Sequence, residues 1–114
     1  MGIQKWSDDI LMGDLAEEPV FSDDLSSLGD MLAQEAQDVV LNFRAVDFLN
    51  SSNIARLLKL RKTILSTGKR LVLCGINNQV WGVFLVTGLD KIFEYTNDTA
   101  TALALLQLGQ EEQV

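Results

Sequence analysis

Two adjacent serines, Ser51 and Ser52, are the residues of this sequence best placed to take part in chemistry. They stand in a short polar turn, Asn50-Ser51-Ser52-Asn53, directly before an amphipathic helix that opens at Ile54. A helix start offers unpaired backbone N–H groups and the positive end of the helix dipole, so an anion can be held there. One side chain of the turn, from Asn50, Ser51 or Ser52, is expected to cap the helix, a role worth about 1 kcal/mol. Ser51 is in addition a candidate for phosphorylation, with Ser52 as the secondary candidate. A phosphate would bring roughly −1.5 to −2 charges to this position, enough to repel an acidic partner or break a packed interface.

Other chemistry finds little support. The sequence has no histidine, which removes the commonest general base and the commonest metal ligand. No nucleophile stands beside a base, and neither glycine-rich nucleotide fingerprint occurs. The carboxylate pairs Glu17-Glu18 and Asp23-Asp24 fall in or next to turns, where capping and solubility account for them. Cys74 follows the apolar run Leu71-Val72-Leu73 and reads as a small core residue in a reduced compartment. These observations point away from an enzyme and away from any metal or cofactor.

At 114 residues and 47% hydrophobic content, the chain can form one domain with a real core. Its formal net charge is −7, unevenly placed: residues 1–38 hold ten acids against one base, Lys5. Six bases (Arg56, Lys59, Arg61, Lys62, Lys69, Arg70) fall within fifteen residues, but the overall acidity and sparse aromatics argue against nucleic acid. The cluster reads as a solvated helix face. No apolar stretch is long enough to span a bilayer, and Met1–Asp9 lacks the order of a signal peptide. A soluble, cytoplasmic protein is expected.

The elements that must position the serines follow from periodicity. Ile3–Trp6 reads as an edge strand within an N-terminal segment over 1–9, and Ile10–Leu15 as a second strand. Ser22-Asp23-Asp24 predicts a helix start, with Leu25, Leu28, Met31 and Leu32 at helical spacing to about Glu35. The continuous apolar run Val39–Phe43 fits a strand covered on both faces. The helix after the serines shows Ile54, Leu57, Leu58, Ile64 and Leu65 on one side and stops at Thr67-Gly68. Leu71–Cys74 is the next buried strand; Asn77 or Asn78 caps a helix over Gln79–Thr87, ended by Gly88. Ile92–Tyr95 reads as a short edge strand, and Asn97-Asp98-Thr99 caps a last helix over Ala100–Leu108, with 109–114 frayed. Trp81, Phe84 and Val86 make the third helix apolar on more than one side, which predicts deep burial over a dimer surface. A monomer or weak dimer is expected. The order β-β-α-β-α-β-α-β-α implies an α/β fold, a single domain over 1–114 with a largely parallel or mixed sheet of four to five strands and about four helices.

The stretch from Val39 to Leu108 resembles the STAS domain family, of the bacterial anti-sigma factor antagonist type. The residues that carry the resemblance are the strand Val-Val-Leu-Asn-Phe, the segment Phe48–Ile54, and Gly68-Lys69-Arg70-Leu71-Val72-Leu73. Val86-Thr87-Gly88-Leu89-Asp90-Lys91-Ile92-Phe93 matches the family's tGLdklF signature, and Thr99–Leu106 its Ala/Leu-rich end. In the family the turn reads approximately Asp-Ser-Ser-Gly, and a partner kinase phosphorylates its first serine, which is Ser51 here. The resemblance implies a transcription regulator that binds an anti-sigma factor, often itself the serine kinase, with a PP2C-type phosphatase reversing the mark. It implies a contact surface centred on Asn50, Ser51, Ser52, Asn53 and Arg56. Asn50 stands where Asp is common in the family, and Asn53 where Gly is common. Two alternatives remain at this level: an unswitched scaffold or assembly module of the same fold, and a small-ligand or nucleotide-binding module.

Overall fold

The computed structural model describes residues 2–112. The chain runs β1 (Ile3–Lys5), β2 (Ile10–Asp14), α1 (Val20–Gln34), β3 (Asp38–Asn42), α2 (Ser51–Ser66), β4 (Leu71–Cys74), α3 (Asn78–Thr87), a 3-10 turn (Leu89–Lys91), β5 (Glu94–Thr96) and α4 (Thr99–Glu112). The element order is the expected one. The strands form a single sheet in the order β1-β2-β3-β4-β5, with β1 antiparallel to β2 and every other pair parallel.

The alternation of side chains along these strands divides the core in two. Leu11, Val39 and Leu71 lie in register across β2, β3 and β4, as do Leu41 and Leu73 one step on. All five join the larger buried cluster with Leu28, Leu57, Ile64 and Phe84 of the first three helices. Ile10, Val40, Val72 and Cys74 point the other way and meet Ala102 and Leu106 of α4. Successive parallel crossovers that step in one direction with one hand put their helices on one face. This is why α1, α2 and α3 share a face and α4 alone covers the other. A chain of rings binds the three-helix side: Phe21 of α1 meets Phe43 at 6.3 Å, Phe43 meets Phe84 at 6.4 Å, and Phe84 meets Phe93 at 6.0 Å. The first two contacts are edge-to-face, the arrangement that aromatic quadrupoles favour.

Several boundaries depart from the sequence-based reading. Helix α1 begins at Val20, not Asp23, and Ser22-Asp23-Asp24 lies within it rather than capping it. Pro19 occupies the N-cap position and has no side-chain acceptor, so Glu18 reaches over it and accepts from the Ser22 N–H at 2.8 Å. Asp24, expected in a solvated first turn, is buried. Helix α2 begins at Ser51, three residues before Ile54, and buries Asn53, Leu57, Leu60 and Ile64; Leu58 and Leu65 are exposed. Strand β5 falls at Glu94–Thr96 because Ile92 is the helical C-cap of the 3-10 turn Leu89–Lys91 and Phe93 enters the core. Helix α4 extends past Leu108 to Glu112, so the tail expected to fray is helical through 112, while 113–114 lie outside the described residues. In α3, Phe84 is buried and Trp81 half-buried, but Val86 is 88% exposed and Leu85 54%. Burial thus fails as the explanation of that helix's second apolar side. No helix of the described residues is long and apolar enough to cross a membrane.

Three of the four helices take their caps as the sequence suggests. Asn50 accepts from the Asn53 N–H at 2.8 Å, Asn77 from the Val80 N–H at 2.9 Å, and Asp98 from the Thr101 N–H at 2.8 Å. Replacing Asn77 by Ala is expected to lower stability by about 1 kcal/mol or more, since its amide also donates to Val46 O and Asp47 Oδ1. Urea denaturation should show a lower midpoint at unchanged slope.

Cys74 is fully buried, and burial pushes its thiol up from 9.0 to about 11, with the Asp14 and Asp98 carboxylates adding to the effect. A folded pKa above the unfolded one gives stability that is complete below pH 9 and lost as pH rises towards 11. The urea midpoint should therefore fall more steeply over that window in the wild type than in Cys74→Ala, and equal slopes would refute the assignment.

Candidate functional site

The serine turn is built by a strand that ends in the core and a loop pinned on both sides. After β3, Phe43 enters the core, and the chain runs through Arg44–Leu49 with Val46 and Leu49 buried as anchors. Asn42 ties the start of this loop, donating from Nδ2 to Asp14 Oδ1 at 2.9 Å and accepting from the Arg44 N–H at 3.1 Å. The neighbouring strand allows this only because residue 75 is glycine: at φ 68°, a Cβ there would lie 2.6 Å from Asn42 Oδ1.

At the turn itself Asn50 is extended (φ −101°, ψ 175°) and Asn53 is the third residue of α2. The two asparagines cap reciprocally: Asn53 N–H donates to Asn50 Oδ1 at 2.8 Å, and Asn50 N–H donates to Asn53 Oδ1 at 3.0 Å. This is a capping box with Asn in the place of the usual Glu or Gln. Asn53 is 2% exposed, so its side chain adds no bulk to the surface. Its Nδ2 donates to Glu18 Oε2 at 3.1 Å, which links α2 to the residue before Pro19.

Ser51 and Ser52 occupy the first two helical positions and are exposed. Neither hydroxyl takes part in a hydrogen bond among the described residues. Their backbone N–H groups precede the first intrahelical bond, which runs from Ile54 N–H to Asn50 O at 3.1 Å. Two free hydroxyls and two free amides thus sit on a rigid helix end. Arg56 lies one turn on, four residues after Ser52 and on the same helical face. It is exposed and borders a groove between α1 and α2 with Lys59, Asp30 and the small residues Ser26 and Gly29.

The structure gathers further residues here that sequence reasoning left aside. Glu17 Oε1 accepts from the Asp47 N–H at 2.6 Å, and Asp47 Oδ1 accepts from Asn77 Nδ2 at 2.8 Å. Glu18 accepts from Ser22 through both the hydroxyl (2.6 Å) and the N–H (2.8 Å). The Ser22 hydroxyl and N–H hold the Glu18 carboxyl below its ordinary range, with Asn53 and Arg56 helping, although burial works against them. One belt of hydrogen bonds therefore runs from the start of α1, past the serines, to the start of α3. Phe48, in the same loop, is 66% exposed. Nothing in the spacing of Glu17-Glu18 points to the links with the serine loop, because Asp47 and Asn53 lie 30 and 35 residues away.

The model of the STAS domain family matches residues 14–102 of the chain. A search of curated proteins gives no match. Among solved structures, a serine-to-glutamate variant of RsbS from Moorella thermoacetica superposes with a TM-score of 0.83 at 18% identity, covering 96% of this chain and 96% of that one. An anti-sigma-factor antagonist (STAS) domain protein from Planctomyces limnophilus gives 0.77 at 19% identity, covering 92% and 97%. The Bacillus cell fate determinant SpoIIAA, solved in its phosphorylated form, gives 0.71 at 15% identity, covering 90% and 94%. At these identities the structures establish a shared fold, and the family model spans most of the chain. The chain belongs to the STAS domain family.

Proposed function

We propose that this protein is a regulatory binding module of the anti-sigma factor antagonist type, working in a bacterial cytoplasm, whose partner surface centres on the serine turn. Phosphorylation of Ser51, with Ser52 as the secondary acceptor, controls the binding. The observation that carries this reading is the pair of exposed, unbonded hydroxyls on a helix end held rigid from both sides. Its support from relatives is the family itself and a structural neighbour that takes a phosphorylated form.

In the reaction, a serine kinase, itself the anti-sigma partner or associated with it, transfers the γ-phosphoryl group of ATP to Ser51 Oγ. The hydroxyl proton leaves to the kinase's base and ADP is released; a PP2C-type phosphatase returns the serine by hydrolysis. The contact surface comprises Asn50, Ser51, Ser52 and Arg56, with Asn53 acting from beneath as the cap. Phe48 extends it, since an exposed aromatic ring is the kind of side chain that anchors an interface. A phosphate placed among these contacts must be desolvated or expelled, so binding weakens. The chain's own role is to bind and be modified, not to catalyse.

A second reading keeps the fold and the binding but not the switch. The exposed apolar pair Leu85 and Val86 at the end of α3 favours it, since it offers an assembly contact independent of the serines.

Incubation with the cognate kinase and ATP should put phosphate on Ser51, read by mass spectrometry; no mark on Ser51 or Ser52 overturns the switch. Ser51→Asp should weaken partner binding about tenfold or more, roughly 1.4 kcal/mol, with Ser51→Ala close to wild type. Equal affinity of the Asp and Ala variants, measured by calorimetry, would select the unswitched module.

A further inference from the structure

Glu18 belongs to two helix starts at once. It precedes Pro19, where α1 has no cap of its own, and its Oε1 accepts from the backbone N–H of Ser22 at 2.8 Å. Its Oε2 accepts from the Ser22 hydroxyl at 2.6 Å and from Asn53 Nδ2 at 3.1 Å. Ser22 and Asn53 are each the third residue of their helix, α1 and α2. A single carboxylate therefore caps α1 directly and braces the cap of α2 through Asn53. The turn itself carries no acid, because residue 50 is Asn. Glu18 is the acid that is hydrogen-bonded to the capping side chain of α2.

We propose that Glu18 is the positioning residue of the serine switch: a phosphate on Ser51 and the Glu18 carboxylate compete for the same helix end, so modification at Ser51 is transmitted to the start of α1. The proposal rests on Ser51 as the modified residue. A helix end amounts to about half a positive charge, which one carboxylate already offsets. A phosphoserine at the first helical position adds roughly −1.5 to −2 charges and can accept from the free N–H groups of that turn. The anion held less tightly must then yield. Glu18 is the one that can, because it is solvent-exposed and held by neutral donors, with Arg56 as the cation facing it from α2. The neighbouring carboxylates are already engaged by neutral donors, Glu17 by the Asp47 N–H and Asp47 by Asn77 Nδ2, and each adds to the negative charge around the turn.

When Glu18 lets go, α1 loses the only side-chain cap it has among the described residues, and Asn53 loses a partner. The first turn of α1 holds Phe21, whose ring packs on Phe43 at the root of the serine loop. The mark would thus be read on two helices, at Ser51 and around Glu18, Pro19 and Val20. A partner lying across both helix starts responds to more than the phosphate alone.

The test needs no kinase. Phosphoserine is placed at residue 51 during translation, in wild type and in Glu18→Gln, and amide spectra of all four proteins are recorded at pH 7.5 by NMR. In wild type the phosphate should shift the Ser22 backbone and Asn53 side-chain resonances. In Glu18→Gln, which keeps the shape and an acceptor but not the charge, the same phosphate should shift them far less. Unmoved Ser22 and Asn53 resonances in the wild type, or equal shifts in both backgrounds, would overturn the proposal. Should Glu18→Gln not fold, the Glu18 side-chain carboxyl carbon is titrated in the wild type with and without the phosphate. Its midpoint should rise when the phosphate is present, and an unchanged midpoint overturns the coupling. Failure of a kinase to mark Ser51 would instead strike the functional reading, leaving these measurements intact.

Discussion

Parallel strands all end at one edge, and this constraint governs most of what is distinctive in the molecule. Strands β2 to β5 run the same way, and each is followed by a helix. Four helix starts consequently gather along the carboxyl edge of the sheet, with their unpaired N–H groups and positive dipole ends side by side. Such an edge needs acceptors, preferably anionic ones. Asn50, Asn77 and Asp98 supply them from the N-cap position, and Glu18 supplies the fourth from just outside it. The Asp98 carboxyl, like that of Glu18, is held below its ordinary range by the residue it caps, here Thr101. The acidity of the first third of the chain is therefore put to structural use: Glu17 and Glu18 are the stitches that join α1 to the serine loop.

What the sequence made legible follows this same logic. Periodicity located the buried strands because residues covered on both faces form unbroken apolar runs, as in Val39-Val40-Leu41 and Leu71–Cys74. Side chains that cap locally were legible as well: Asn77 and Asp98 act on residues three positions away. The local pattern misleads where a side chain outside the N-cap position takes over the capping or where an acid turns into the core. Ser22-Asp23-Asp24 has the composition of a helix start, yet the helix begins at Val20, because Glu18 satisfies Ser22 and Asp24 turns inward. The apolar side of α2 is narrower than its spacing suggests, since Leu58 and Leu65 lie outside the buried stripe Leu57, Leu60 and Ile64.

The candidate site divides along the same line. Its serines and their cap could be read from four consecutive residues, with the family resemblance naming Ser51. Its supports could not, because Asp47 to Glu17 and Asn53 to Glu18 span the whole of α1 and β3. Asn53 illustrates the difference. In the sequence it is an asparagine where relatives tend to have glycine; in the fold it is a buried residue with three hydrogen bonds that closes the cap and receives α1. A glycine at that position could make only the backbone bond.

The surface around the serines is not uniform, and this bears on what can bind there. Towards α1 and α3 the turn is rimmed by the carboxylates of Glu17, Glu18 and Asp47, while along α2 the exposed charged side chains are Arg56, Lys59 and Lys62. Exposed Phe48 stands in the loop between, and further along α2 the Arg61 guanidinium lies 5.9 Å over the Phe93 ring. A partner of a single charge sign would meet repulsion on one side of Ser51. Complementarity instead calls for a partner that turns cations to the rim and anions to α2, with an apolar recess for Phe48. Such a fit fixes orientation, because rotating the partner about Phe48 would set like charges together.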